Sequence, residues 1–267
     1  MIDADGSSRI RSTVDVGVLT VLREETYAIV EALRATAGYR KTEMAAGQRI
    51  HEAALVHGDR TIRIAAMQTT DRGQSSAALA FNELCTLARP RYVALVGTAG
   101  GINRTVEIGD VVIADSVISY DPRRVARNGV WHRGATRPVP VTVSRAVQDF
   151  LSSRPEPTLP TRAPSGRSRP FRVHYGPVGS GEAVITDVHS HIREFLFRFN
   201  EKVLAVETEA AAVAQAYHES ARHPKGLAGW LVVRGISDKA NRHKGHRDHA
   251  MASRHAVQTL EALLPFL

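Results

Sequence analysis

Apolar runs and helical spacings alternate along this chain. Val14 to Val21, VDVGVLTV, is a short β-rich run, and residues 24–36 follow with a helical pattern. RTIRIAAM at 60–67 alternates as a half-buried strand does. GQSSAALAFNELCTLA at 73–88 has helical spacing, opened by a glycine. RYVALVG at 91–97 and GDVVIADSVISY at 109–120 predict two further strands. KVLAV at 202–206 predicts another, followed by the alanine-rich ETEAAAVAQAYHE at 207–219. WLVVRGIS at 230–237 is a further apolar strand, and 247–265 reads as a last amphipathic helix. Apolar runs separated by helices predict an α/β protein, its largely buried sheet covered by helices on both faces.

The stretch 123–170 interrupts this order. It is rich in Arg, Pro, Ser and Gly and contains RPEPTLPTRAPSGRSRP. The expectation is a loop excursion with a short helix at 143–153, not a second domain. Residues 1–13 read as a flexible N-terminus and 14–267 as one domain.

The 267 residues suffice for a sizeable core, with 43% hydrophobic and 23% charged. No apolar run approaches the roughly 20 residues of a membrane span, and MIDADGSSRIRST has no apolar signal region. Cys85 is the single cysteine, which fits a cytoplasmic protein and excludes a multi-cysteine zinc site. The net charge of +8 suits a phosphate-bearing substrate or an arginine-rich surface as well as nucleic acid. Few aromatics, and no helix-turn-helix or RNA-binding pattern, argue against nucleic acid.

In a buried sheet of this kind, ligands gather at the carboxyl ends of the strands. Four segments there carry polar side chains. Glu24 and Glu25 follow the first strand, where acids also suit a helix N-terminus. VGTAGGI at 96–102 brings Thr98, Ala99 and Gly100 to a strand end, where small residues admit a ligand to the backbone; a plain glycine-rich turn fits too. VETEAAA at 206–212 carries Glu207 and Glu209 around Thr208, on one side if the strand continues. A carboxylate there can accept two hydroxyls of a vicinal diol, or simply cap a helix. Asp238 ends the last strand beside Ser237, with Lys239, Arg242, His243 and Lys244 close behind. The spacing leaves open whether burial keeps this acid as a proton donor or the cations hold it as an anion.

Five ordered blocks, VGVLTVLREET, VGTAGGI with VEIGDVVIADSVISYD, GSGEAVI, VETEAAAVAQ and VVRGISDKAN, resemble the purine nucleoside phosphorylase and uridine phosphorylase superfamily. Within it the chain is most similar to methylthioadenosine/S-adenosylhomocysteine nucleosidases and related phosphorylase-like nucleosidase domains. The resemblance runs from about Val14 to about Leu264. It implies a three-layer α/β/α sandwich around a mixed, twisted sheet, a homodimer or larger assembly, and no metal or other cofactor. It also implies hydrolysis of the N-ribosyl bond of an adenine nucleoside.

By position, the resemblance makes Glu25 the base that activates water and Asp238 the acid that protonates the purine N7. It makes Glu209 the ligand of the ribose 2′- and 3′-hydroxyls, with Glu207 and Thr208 beside it. Thr98, Ala99 and Gly100 would line the nucleophile and the base. Val184 and Ile185 would flank the base, and Arg234 and Ser237 would support the nucleophile site and the acid. Cleavage of this bond builds oxocarbenium character on the sugar, so a group at the base and a group at the sugar do different work.

Related phosphorylases carry a phosphate-binding Arg three residues before the loop Ser/Thr; here that position is Leu95, which favours water. Thr208 stands where the family often has Met, and Val184 where nucleosidases commonly have Phe. Both reduce apolar contact and put methylthioadenosine itself in question. If Arg123, Arg124, Arg127, Lys239, Arg242 and Lys244 rim the pocket, a 5′-phosphorylated substrate such as AMP or ATP is implied; a solvated basic surface explains them as well. RGISDKANRHK also resembles phosphorylase-like domains of prokaryotic defence proteins, for which nucleotide depletion is the alternative. A phosphate-dependent phosphorylase and a non-catalytic nucleoside sensor are further alternatives. A dinucleotide oxidoreductase lacks its GxGxxG fingerprint. His243, His246 and His249 read as surface histidines and not as a metal site.

Overall fold

The structure is a computed structural model and describes residues 13–36, 38–44, 47–161, 170–220, 226–242 and 248–267. The expected flexible N-terminus, apart from Thr13, lies outside the described residues, as do His243, Lys244 and His246. Strand β1 (Val16–Thr20) leads into helix α1 (Arg23–Arg34), then β2 (Arg40–Glu43), β3 (Arg49–His57) and β4 (Arg60–Gln68). Helix α2 (Gln74–Ala88), β5 (Tyr92–Gly101) and β6 (Val111–Ser119) follow. The excursion holds β7 (Arg123–Ala126), β8 (Gly129–His132), β9 (Ala135–Pro138), α3 (Val141–Ser152) and β10 (Thr158–Pro160). After it come β11 (Pro170–Ser180), α4 (His191–Phe199), β12 (Ala205–Glu207), α5 (Ala210–Glu219), β13 (Gly229–Asp238) and α6 (His249–Leu263).

Eleven of these strands form one mixed sheet in the order β10-β11-β6-β13-β5-β1-β4-β3-β2, with β9 on β6. Strand β5 is parallel to β1 and β13, and β13 is antiparallel to β6. Strand β12 pairs with both β11 and β5, so β5, β13, β6, β11 and β12 close into a ring. Helices α1 and α6 pack together on one face of the sheet and α2 and α5 on the other, giving the three layers of an α/β/α sandwich.

All ten residues of β13 are buried, as expected for a strand covered on both faces. Burying each Val or Leu of such a strand contributes about 1.5–3 kcal/mol. The α6 backbone lies so close that a β-carbon on Gly235 would sit 1.9 Å from the Ala252 carbonyl oxygen. Helix α2 stops at Arg89, in the left-handed region at φ 47°, and Pro90 follows.

The segment read as a loop excursion is largely structured. β7 and β8 pair as a separate hairpin, β9 extends the main sheet on β6, and β10 extends it on β11. Strand β11 falls on PFRVHYGPVGS, where the apolar pattern predicted none. The strand expected at 202–206 is shorter and shifted: β12 covers only Ala205–Glu207, and α5 starts at Ala210, not Glu207. Among the described residues no helix is long and apolar enough to cross a membrane.

Candidate active site

Glu25 is the third residue of α1, and its side chain turns back over the start of the helix. One carboxylate oxygen accepts the backbone N–H groups of Val21 and Leu22, each at 2.9 Å. This is the reciprocal half of a capping box; Leu22, at the cap, supplies no acceptor. The other oxygen accepts the Thr98 N–H at 2.8 Å and its hydroxyl at 3.1 Å. Burial pushes the carboxyl above the ordinary glutamate range, opposed by Arg234 and by the three backbone donors. A cap alone needs no link to β5, so Glu25 does more than the helix-terminal role that its position also suited.

Arg234 is the hub below. It is 1% exposed and runs across Gly97, its register partner in β5. Its Nη2 pairs with Glu207 and lies 3.3 Å from Glu209. Burial works against its charge, but Glu207, Glu209 and Glu25 together raise its pKa. The two glutamates do not share a side through strand alternation as expected. The strand ends at Glu207, whose carboxylate accepts the N–H groups of Glu209 and Ala210 and so holds the start of α5. Glu209 takes a separate course: one oxygen accepts the Gly73 N–H at 3.1 Å and the Thr208 hydroxyl at 2.5 Å. The Gln74 amide fixes this turn from α2, donating to the Thr208 carbonyl at 2.6 Å and to Ser180 Oγ at 3.1 Å. Burial, with Glu209 adding, raises the pKa of Glu207, and Arg234 opposes it.

Asp238 ends β13 just past a register shift between Ile236 and Asp238. It is buried, accepting the Ser237 hydroxyl at 3.1 Å and the Ala240 N–H at 2.8 Å. A β-carbon on Gly100 would lie 3.0 Å from its Oδ1. The cation that directly follows it turns elsewhere: Lys239 donates to the Val106 carbonyl and pairs with Glu107 at 3.2 Å.

These groups converge on one cavity of about 620 Å³. Every site residue proposed from sequence lines it except Arg234, which lies beneath. Ile185 is buried while Val184 is 60% exposed at the mouth. The wall that carries them is pinned by Tyr120, whose hydroxyl is shared between the carbonyls of Gly181 and Ala183 at 2.9 and 2.8 Å. Burial, with Glu207 and Asp121 adding, raises the Tyr120 pKa and keeps it a donor.

The structure corrects two readings of the basic residues. Arg123 lines a different cavity, beside Trp131 and Phe199, and Arg123, Arg124 and Arg127 do not line the site. His249, read as a surface histidine, is 7% exposed and lines the site. Arg72, Leu22 and Thr186 line it too and were not singled out. A glycine-opened helix after a polar loop, DRGQ, is the only local signal for Arg72.

Residues 15–265 match the family model of the phosphorylase superfamily, and the chain belongs to that family. It is 28% identical over 192 residues to the 5'-methylthioadenosine/S-adenosylhomocysteine nucleosidase of Bacillus subtilis, spanning 72% of this chain and 75% of that one. The fold matches the crystal structure of the Helicobacter pylori 5'-methylthioadenosine/S-adenosyl homocysteine nucleosidase with a TM-score of 0.71 at 17% identity, covering 96% of this chain and 100% of that one. It matches futalosine hydrolase of Helicobacter pylori equally, with a TM-score of 0.71 at 16% identity over 96% and 99% of the two chains.

Proposed function

We propose that this chain hydrolyses the N-ribosyl bond of an adenine nucleoside, releasing free base and sugar. The observation that carries this reading is the pair of buried carboxyls, Glu25 and Asp238, brought to one cavity from two different elements. Glu25 is bonded to the Thr98 N–H and hydroxyl, and Asp238 lies against Gly100 at the end of the same strand. Cleavage of an N-ribosyl bond needs a base for the attacking water and an acid for the leaving group, and a nucleoside in this cavity can meet one carboxyl at its sugar and the other at its base.

In this reading Glu25 takes the proton from water. Burial raises its pKa and makes it a stronger base than a free glutamate. Of its four donors, the Thr98 hydroxyl can rotate away and free an acceptor site for the water. Asp238, held by Ser237 and the Ala240 N–H, gives the proton to the leaving purine. Glu209 accepts the ribose diol, with Thr208 and Glu207 behind it. The base lies between Ala99, Gly100, Val184 and Ile185.

Water is favoured over phosphate. Leu95 is fully buried between Leu19 and Val232, and Arg234 is engaged by Glu207 and Glu209. The curated nucleosidase relative supports the same choice. A cytoplasmic homodimer or larger assembly is part of the proposal, and light scattering tests the assembly.

Incubation without phosphate with methylthioadenosine, S-adenosylhomocysteine, adenosine and inosine tests the activity. Chromatography should show adenine from an adenosine derivative. Base release only when phosphate is added would replace the hydrolase by a phosphorylase, and intact binding without any base release would leave a sensor.

A further inference from the structure

The substrate orientation just proposed fixes where its 5′ carbon points. C5′ is carried by C4′, the neighbour of C3′, so it leaves the cavity beside the carboxylate that binds the diol. That carboxylate, Glu209, touches the Gly73 N–H at 3.1 Å, and the residue before Gly73 is Arg72. Arg72 lines the same cavity and is exposed at its mouth. Among the described residues its guanidinium makes no hydrogen bond or ion pair; only its backbone N–H is engaged, by Asp71 at 2.7 Å.

The rest of the lining makes this cation stand out. Glu24, Glu25, Glu207, Glu209 and Asp238 all face the cavity, and the buried Arg234 is held by Glu207 and Glu209 below it. An uncharged thioether would gain little beside this guanidinium. His249, the first residue of α6, faces the cavity as well. The neighbouring positions Thr208 and Val184 offer little apolar contact: Thr208 directs its hydroxyl to Glu209 at 2.5 Å, and Val184 is largely in solvent.

We infer that Arg72 forms a subsite for an acidic group on the 5′ carbon. The substrate class is then an adenine nucleoside bearing a 5′-phosphate or 5′-carboxylate; this rests on the nucleosidase reading above. A guanidinium binds either group through paired N–H donors. One charge-assisted contact of this kind is worth roughly 10- to 100-fold in kcat/KM.

The experiment measures base release from AMP, adenosine 5′-carboxylate, adenosine and methylthioadenosine by the wild-type chain and by Arg72→Gln and Arg72→Lys. The wild type should favour one of the acidic substrates over adenosine by about 10-fold or more. Arg72→Gln should collapse that ratio toward one, mainly through KM, and Arg72→Lys should keep part of it. Preference for AMP identifies phosphate as the group, and preference for the carboxylate identifies the other source. Adenine release with no acidic preference, or a preference that Arg72→Gln leaves intact, overturns the subsite and leaves the nucleosidase standing. No base from any substrate overturns both.

Discussion

Arg234 lies over Gly97, and the absence of a side chain at 97 is what lets its guanidinium approach Glu25. A β-carbon there would sit 2.4 Å from Arg234 Nη1 and 2.4 Å from Glu25 Oε1. Neither group can retreat easily, since both are buried and bonded on their far sides. Gly97→Ala should therefore cost about 1–3 kcal/mol and lower turnover by moving both groups. Urea denaturation and steady-state kinetics read the two effects, and unchanged values for both would show that the packing yields.

Among the described residues Arg234 is the buried lysine or arginine, and Glu207, Glu209 and Glu25 share its charge. Arg234→Met leaves Glu207, Glu209 and Glu25 facing one another, and removing one partner of a buried pair costs roughly 3–5 kcal/mol. Adding Glu207→Gln to that variant should restore part of the loss, because it removes one of the stranded charges. A double variant no more stable than the single one, by thermal melting, contradicts the hub.

The two carboxyls assigned to base and sugar should respond differently. Asp238→Asn should lower kcat by roughly 10²–10⁴ with KM changed only a few-fold, since it removes proton transfer. Glu209→Gln should raise KM and lower kcat together, because the diol is bound through the reaction. Wild-type turnover from Asp238→Asn removes it from the chemistry.

Acid should inactivate by way of Glu25. Its ionised form is the base, and burial raises its pKa above the ordinary 4.5. Activity is then present above the raised value and falls as pH drops through it. The acid limb of kcat/KM should lie above 4.5, and a limb at or below that value would assign it to another group.

Much of this site was legible because its carriers sit where strands end. Asp238 closes an apolar run, Thr98 and Gly100 follow another, and Glu25 begins a helix, so local pattern placed each. Glu207 and Glu209 were legible as a pair, but their geometry was not. It comes from the start of α5 and from Arg234, more than twenty residues away. Arg72 and His249 escaped for the same reason. One sits in a polar loop that the Gly73–Glu209 contact ties to the site across 136 residues. The other begins an amphipathic helix whose buried end depends on packing against β13. Strand β11 hid behind Pro170, Pro177 and two glycines, which read as turns; the ladder to β6 absorbs them with a register shift between Gly176 and Val178.

Isotope labelling of the product tests the central claim most directly. With an adenine nucleoside in ¹⁸O-enriched water and no phosphate, the account predicts free adenine and a sugar carrying one ¹⁸O at C1. A sugar 1-phosphate formed only when phosphate is supplied, with no label from water, would contradict hydrolysis and the role given to Glu25.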